Sequence, residues 1–427
     1  MRRLYTLLLY LALPFASLII AVRGLRERDY WRGWSERFGY GAAAMAGGIW
    51  VHAVSVGEVQ AAVILIEALR ARSPHAAITL SCATPSARAR GRALLPQIAV
   101  RYAPYDLPGC VRRCLTALRP RLLIVLEGEL WPNLLHQAWR AGVPVLFASA
   151  RVSERSAKLY RRLPGLLRQS LERGAWVGAQ TQADAQRFGT LGVPPERCLI
   201  VGNIKFDRQM PAQVLQRGAQ LRARYAAGRA AWIAGSTHAG EERAVLEAHR
   251  RVCAERPATL LILAPRHAPR FDAAAATVRA CGFSCQRRSS GPPPENFQVL
   301  LLDTLGELTD FYAAADLAFV GGSLVPVGGH NLLEPAALGL PVLTGPAQFN
   351  SPELARNLCQ RGAVTIVRDA HELGAAVIAL LADPKRRAAQ GEAGRAAIEA
   401  NRGALTRLIG LIERIEQQDS SSSGPIV

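Results

Sequence analysis

The sequence predicts an α/β protein of two doubly wound, parallel-sheet domains, preceded by a hydrophobic N-terminal anchor. Three observations lead there. From residue 47 onward, short apolar runs alternate with longer arginine-rich helical stretches, and both halves follow the same scheme. The runs are almost continuously apolar, as in strands covered by helices on both faces. The 427 residues also suffice for two domains of ordinary size. Expected strands are 49–53, 77–82, 100–103, 122–126, 145–149, 175–179 and 199–201, then 231–234, 260–264, 299–302, 317–320, 342–343 and 364–367. Residues 210–220 read as the bridge. The expected plan is an anchor (1–24), a first Rossmann-like domain (25–210), a second (211–405), and a C-terminal helix and tail (406–427). The serine-rich 419–427 is expected to be disordered.

The formal charge of +19 is uneven: residues 1–210 hold 29 Lys+Arg against 13 Asp+Glu, and residues 211–427 hold 23 against 20. Only Lys158, Lys205 and Lys385 are lysines, so the excess is arginine in the first half. Such a face attracts nucleic acid, anionic lipid or a phosphorylated substrate. No recognised nucleic-acid motif is present, and no nucleic-acid partner is expected. The eight cysteines are scattered without a completing histidine or cysteine cluster, which fits reduced thiols in a protein facing the cytoplasm.

Residues 4–22 carry no charge, a length just sufficient to span a bilayer at about 20 residues. Arg23 and Leu25-Arg26 follow where a cleavage site would need small residues, so a removable signal peptide does not fit. Arg2 and Arg3 precede the segment, but Arg23, Arg26, Arg28, Arg32 and Arg37 follow it, which favours a cytoplasmic body. Pro14 keeps a monotopic anchor open beside a spanning one, and a buried core helix is the bland alternative.

Residues 317–343 organise the second half: a strand, a glycine-rich loop (Gly321, Gly322, Gly328, Gly329), then His330-Asn331 and a helix from about Leu332. Asn331 is a good N-cap, and Glu334 stands where a capping-box acid belongs. Glycines admit a phosphate close to the backbone, and a helix N-terminus favours an anion. An ordinary capped βα turn has the same pattern.

Ligands of open parallel sheets bind beyond the strands' carboxyl ends. Glu58 follows the first strand, in a helix's first turn beside Gly57; it can complement the helix dipole or serve as a general base. Glu127 and Glu129 follow the fourth strand and can be acid/base partners, metal ligands or partners of arginines. Arg151 follows the fifth and Lys205 the last, where a lone lysine suits an anionic group. In the second half, residues 235–238, Pro265-Arg266-His267 and Asp303–Glu307 follow three strands that converge with the glycine-rich loop. Arginine, backbone amides and acids able to accept ribose hydroxyls describe a nucleotide site.

Segments 54–58 (VSVGE), 129–133 (ELWPN), 150–156 (ARVSERS), 202–207 (GNIKFD), 236–238 (STH), 264–267 (APRH), 303–308 (DTLGEL), 315–324 (ADLAFVGGSL) and 328–337 (GGHNLLEPAA) together resemble the bacterial 3-deoxy-D-manno-octulosonic acid (Kdo) transferases of lipopolysaccharide assembly, over nearly the whole chain. The resemblance implies a glycosyltransferase of the B type (GT-B) whose two domains face each other across a cleft. It implies inverting transfer of Kdo from CMP-Kdo to the 6′-hydroxyl of a lipid A precursor, without a metal, at the cytoplasmic face of the bacterial inner membrane. It implies that Glu58 is the proton acceptor, and that CMP is held by Pro265 and Arg266, by Leu305, Gly306 and Glu307, and by Asn331, Leu332, Leu333 and Glu334. Arg90 and Lys205 fall where family positions serve the sugar carboxylate or the acceptor, and Arg151 is a further candidate. One departure is Ser86-Ala87-Arg88, where the family often has Thr-Gly-Ser; it leaves Arg88 as an alternative to Arg90. The rival readings are a nucleotide-sugar epimerase of the same fold and a membrane-tethered polyanion binder.

Overall fold

A computed structural model describes residues 1–26, 28–41, 46–207, 210, 212–291 and 296–422. The chain forms two compact units, Met1–Arg208 with Asn401–Val427, and Gln209–Ala400.

The first unit holds a seven-stranded sheet of β1 (Ile49–His52), β2 (Ile78–Cys82), β3 (Ala99–Tyr102), β4 (Leu122–Leu126), β5 (Val145–Ala150), β6 (Ala175–Ala179) and β7 (Cys198–Ile200), in the order β3-β2-β1-β4-β5-β6-β7. All its pairings are parallel. Successive strand side chains point to opposite faces. Ile49, Val51, Leu80, Ile124 and Leu146 therefore pack on one side with the helix Val56–Arg72, while Trp50, Leu123, Val125 and Phe147 pack on the other with Leu134, Leu135 and Leu171.

The last helix, Ala404–Ser422, belongs to this unit rather than standing outside it: Leu408, Ile409, Leu411, Ile412 and Ile415 complete the first face. Asp207, the last residue of the GNIKFD segment, fixes its start, accepting from the N–H groups of Gly403 (2.6 Å) and Leu405 (2.5 Å). Helix continues through Ser422, so disorder does not begin at 419; residues 423–427 lie outside the described residues. The expected bridge is largely helical too, because Gln213–Tyr225 begins the second unit; its hydrophobic side packs Tyr225 beside Phe311.

The second sheet holds β8 (Ala231–Thr237), β9 (Leu260–Pro265), β10 (Cys285–Arg287), β11 (Val299–Leu301), β12 (Leu317–Val320), β13 (Val342–Thr344) and β14 (Val364–Ile366), ordered β10-β11-β9-β8-β12-β13-β14 and again wholly parallel. β10 was not expected. It is an edge strand of three residues, Cys-Gln-Arg, with no apolar run to announce it.

The N-terminal helix, Arg2–Arg26, is long and apolar enough to cross a membrane, and none of its most apolar 18-residue window is buried. A buried core helix is therefore the wrong reading. Its first turns are tied to the body: Tyr5 Oη donates to Asp106 (2.9 Å), Thr6 Oγ1 to Asn133 (3.1 Å), and Arg2 meets His136 (2.7 Å). The segment after it is held by arginines: Arg88 pairs with Glu36 (2.6 Å), Arg101 donates to the Tyr40 carbonyl, Arg113 to the Phe38 carbonyl, and Arg37 lies 3.9 Å from the Tyr102 ring centre.

Leu408→Ala or Ile412→Ala removes an aliphatic side chain that is at most 2% exposed, and each should cost about 2–5 kcal/mol. Denaturant unfolding followed by far-UV circular dichroism measures this; an unchanged midpoint would mean that the last helix is not part of the first core.

Candidate active site

Parallel pairing places all carboxyl ends of a sheet on one edge, and ligands favour the point where strand order reverses. In the first unit that point lies between β1 and β4. Glu58 follows β1. Ser55 caps the helix by accepting from the Glu58 N–H (3.3 Å), and the Glu58 carboxylate reaches back to the Val54 N–H (2.7 Å) and the Ser55 hydroxyl (3.1 Å). The cap thus fixes the carboxylate's position. Burial pushes its pKa up to about 7, the negative charges of Glu127 and then Glu129 add to the rise, and the two hydrogen bonds oppose it. A carboxylate that titrates near neutrality can accept a proton at working pH.

Glu127 follows β4 in the left-handed region (φ 56°), a costly conformation for a residue with a Cβ. Its carboxylate joins two of the expected residues: Lys205 Nζ lies 2.5 Å from one oxygen and Arg151 Nε 2.9 Å from the other. Burial alone would raise the Glu127 pKa, but Lys205 and then Arg151 outweigh it and hold the carboxyl below its ordinary value. Glu127 was open to three roles in the sequence; here it is the partner of cations. Ser149, also left-handed (φ 50°), is the penultimate residue of β5 and accepts from the Ile204 N–H (3.1 Å), which seats the Lys205 loop. A Cβ on Gly57 would lie 3.9 Å from Lys205 Nζ, so the Glu58 and Lys205 loops adjoin. Arg90 sits exposed on the helix Pro85–Leu94, whereas Arg88 is buried against Glu36 and the Tyr102 ring. The Arg88 guanidinium is thus engaged within the fold.

In the second unit the reversal lies between β8 and β12. The loop after β8 brings His238 and Glu241, and that after β12 brings the glycine-rich stretch. Glu241 is fully buried and collects four backbone N–H groups, from His238 (2.9 Å), Gly322 (2.7 Å), Ser323 (2.9 Å) and Leu324 (2.9 Å). The expected anion cradle is corrected accordingly: three of its amides face this internal carboxylate. The helix behind it is also short, Leu333–Ala337, so its dipole is small. The N-cap is Leu332, one residue later than the expected Asn331, and carries no side-chain cap bond; Asn331 Oδ1 accepts from the Leu333 N–H (3.0 Å), and the Asn331 side-chain amide donates to Glu334 (3.1 Å).

The loops after β11, β9, β8 and β12 are neighbours on this edge, which brings Leu305, Gly306 and Glu307, Pro265 and Arg266, and Asn331 to Glu334 to the ends of adjoining strands. Leu305 is exposed, Gly306 has φ 91°, and Glu307 pairs with Arg288 (2.8 Å) and Thr304. Asp303 is engaged with Arg287 (2.7 Å) and Ser289, so it is a structural acid here. Among the described residues, no group of three or more His, Cys, Asp or Glu side chains is arranged to hold a metal ion.

Residues 32–208 match the family described as 3-Deoxy-D-manno-octulosonic-acid transferase (kdotransferase), and residues 293–397 match glycosyl transferases group 1. Over 418 residues the chain is 40% identical to the 3-deoxy-D-manno-octulosonic acid transferase of Haemophilus influenzae, covering 96% of this chain and 98% of that one. The chain belongs to the Kdo transferase family. The corresponding Bordetella pertussis transferase is 39% identical over 428 residues, covering 96% and 99%. The fold, of the GT-B type, is shared more widely: the crystal structure of a putative UDP-N-acetylglucosamine 2-epimerase from Listeria monocytogenes superposes with a TM-score of 0.57 at 14% identity, covering 88% of this chain and 98% of that one. The epimerase alternative therefore keeps only the fold in common with this Kdo transferase, a glycosyltransferase.

Two features of this Kdo transferase escaped the sequence reading. Glu241 has no signature in the sequence, and only its depth and its four amide partners show that it ties two loops together. His238, His267 and His330, more than 60 residues apart between the second and third, meet because β9, β8 and β12 are adjacent.

Glu58 also links the site to stability. Its folded pKa of about 7 exceeds the ordinary 4.5, so the folded state binds more protons between those values. Its contribution is fully present below pH ~4.5 and is lost as pH rises through about 7. Glu58→Gln should flatten that part of the stability profile, measured by urea unfolding from pH 5 to 8; an unchanged slope would show that Glu58 titrates normally.

Proposed function

We propose that the chain transfers Kdo from CMP-Kdo to the 6′-hydroxyl of a lipid A precursor, with inversion at the Kdo anomeric carbon and release of CMP. The observation that carries this reading is Glu58: a buried carboxylate, fixed by its own helix cap and titrating near neutrality, at the strand-order reversal of a Kdo transferase. Ionised Glu58 takes the proton of the acceptor hydroxyl as that oxygen attacks Kdo C2. The C2–O bond to the CMP phosphate breaks, and its electron pair leaves with the phosphate. An oxocarbenium-like transition state is expected, as in glycoside chemistry generally.

Lys205 and Arg151, held by Glu127, offer cations for the Kdo carboxylate or an acceptor phosphate, and Arg90 is a further candidate on the exposed helix face. Arg266 is the cation for the nucleotide phosphate. Leu305, Gly306 and Glu307 and Asn331 to Glu334 line the nucleotide from the neighbouring strand ends. These groups supply the positive charge and hydrogen bonds that the leaving group needs, and no metal enters the proposed reaction. The exposed apolar helix Arg2–Arg26 suits attachment to the cytoplasmic face of the inner membrane, where a lipid acceptor resides. A polyanion-binding role leaves the Glu58 cap and the second unit's converging loops without a use.

Glu58→Gln should lower kcat by about 10²–10⁴-fold with CMP affinity unchanged. In the unsubstituted enzyme, kcat should fall as pH drops through about 7, because protonated Glu58 cannot accept a proton. Product formation from CMP-Kdo and lipid A precursor, followed by mass spectrometry, measures both; near-normal turnover of the glutamine variant would remove Glu58 as the base. Loss of transfer in EDTA with recovery in Mg²⁺ would overturn the metal-free reaction.

Removing residues 1–24 should shift the protein from the membrane pellet to the supernatant while detergent-dispersed acceptor is still turned over. Retention in the pellet would place membrane attachment on another surface.

A further inference from the structure

His238 Nε2 and His330 Nε2 lie 2.7 Å apart, with the two rings stacked at 5.0 Å between centres and 12° between planes. His267 adds a third ring, edge-on to His238 at 5.3 Å. The geometry of the pair follows from Glu241, whose Oε2 accepts from both the His238 and the Gly322 N–H groups and so fixes both loops. A Cβ on Gly322 would stand 2.8 Å from His330 Cδ2, so only glycine leaves room for that ring.

A bond between two Nε2 atoms limits what the pair can carry. One imidazole must donate Nε2–H and the other must accept on bare Nε2, which two neutral rings of opposite tautomer satisfy. One more proton, placed on the free Nδ1 of the donor ring, gives an imidazolium whose Nε2–H still donates. A second would set two N–H groups head to head and break the bond. The pair therefore titrates as one unit of a single proton.

The groups facing it keep that proton off. Burial, then Arg266, His238 and His267, pushes His330 down to about 3. His238 is lowered by burial and by His267, Arg266 and Arg270; Glu241 opposes this, although its carboxylate already serves four amides. An anion resting on Arg266 would bring negative charge beside both rings and reverse the balance.

We propose that His238 and His330 act as one proton-accepting unit: a nucleotide phosphate arriving at Arg266 draws one proton from solvent onto the pair, which then presents its positive charge to that phosphate. This rests on the reading of the second unit as the nucleotide site and adds to it a proton that travels with the ligand. The protein becomes more cationic as its ligand arrives, in a place where the glycine-loop amides of Gly322, Ser323 and Leu324 are already engaged.

Calorimetric titration of CMP into the full-length, detergent-solubilised protein at pH 7.5, in HEPES, Tris and imidazole buffers, tests this. The binding enthalpy should vary linearly with buffer ionisation enthalpy, with a slope of roughly one proton taken up per CMP. CMP cannot supply that sign, because its own phosphate loses protons beside a cation. The double variant His238→Asn/His330→Asn should bind CMP about 10- to 100-fold more weakly and with no buffer dependence. His267→Asn should keep the uptake. A purely packing role for the pair would weaken binding in the double variant without any uptake in the parent protein. CMP binding with no buffer dependence in the unsubstituted protein, or uptake that survives in the double variant, overturns this inference alone. Absence of CMP binding overturns the nucleotide reading with it.

Discussion

Parallel strand pairing is the constraint on which the chemistry of both units depends. It leaves each sheet's carboxyl-end loops on one edge, so residues far apart in the chain become neighbours without any long-range motif. Lys205 reaches Glu127 across 78 residues and Glu241 reaches Gly322 across 81. In each unit a buried carboxylate then converts proximity into fixed geometry. Glu127 does so with two cations and Glu241 with four amides, and neither is left as an uncompensated buried charge. The difference in partner decides their use. Glu127 organises charge at the surface of a site, whereas Glu241 shapes backbone and leaves the charge around it to arginine and histidine.

The sequence carried the architecture well because buried parallel strands are continuous apolar runs. Leu122–Leu126 and Leu317–Val320 could hardly be misplaced. What it hid has a common cause, namely features defined by a neighbour rather than by their own composition. β10 is a strand only because β11 lies beside it. The helix Ala404–Ser422 looked like an appendix because nothing in its pattern names the face that receives it. Glu58 was legible, since Ser55-Val-Gly-Glu is a local cap. Glu241 was not, since three of its four partners come from β12's loop.

Charge was legible in amount but not in use. The arginine excess of the first half pointed to an anionic partner, and part of it does something else. Arg37, Arg88, Arg101 and Arg113 fasten the segment that follows the apolar helix, by ion pairing, carbonyl capping and stacking on Tyr102 and Tyr40. Arginine suits this because its planar fork can meet a carboxylate, a carbonyl and a ring face at once. The helix Arg2–Arg26 is therefore joined to a rigidly held foot at one end and to the Asp106–Asn133 corner at the other. Its apolar surface is presented by the fold and does not trail on a tether.

The return of the chain to its first unit has a consequence for biosynthesis. Leu408, Ile412 and Ile415 belong to the same core as Ile49 and Leu80, yet they are made more than 300 residues later. Domains of a growing chain generally fold in order of synthesis, N-terminal first. Here residues 209–400 can close their own sheet on the ribosome while the first sheet still lacks part of one face. Closure of that face waits for the helix Ala404–Ser422, so the first unit is completed only after the second has been made.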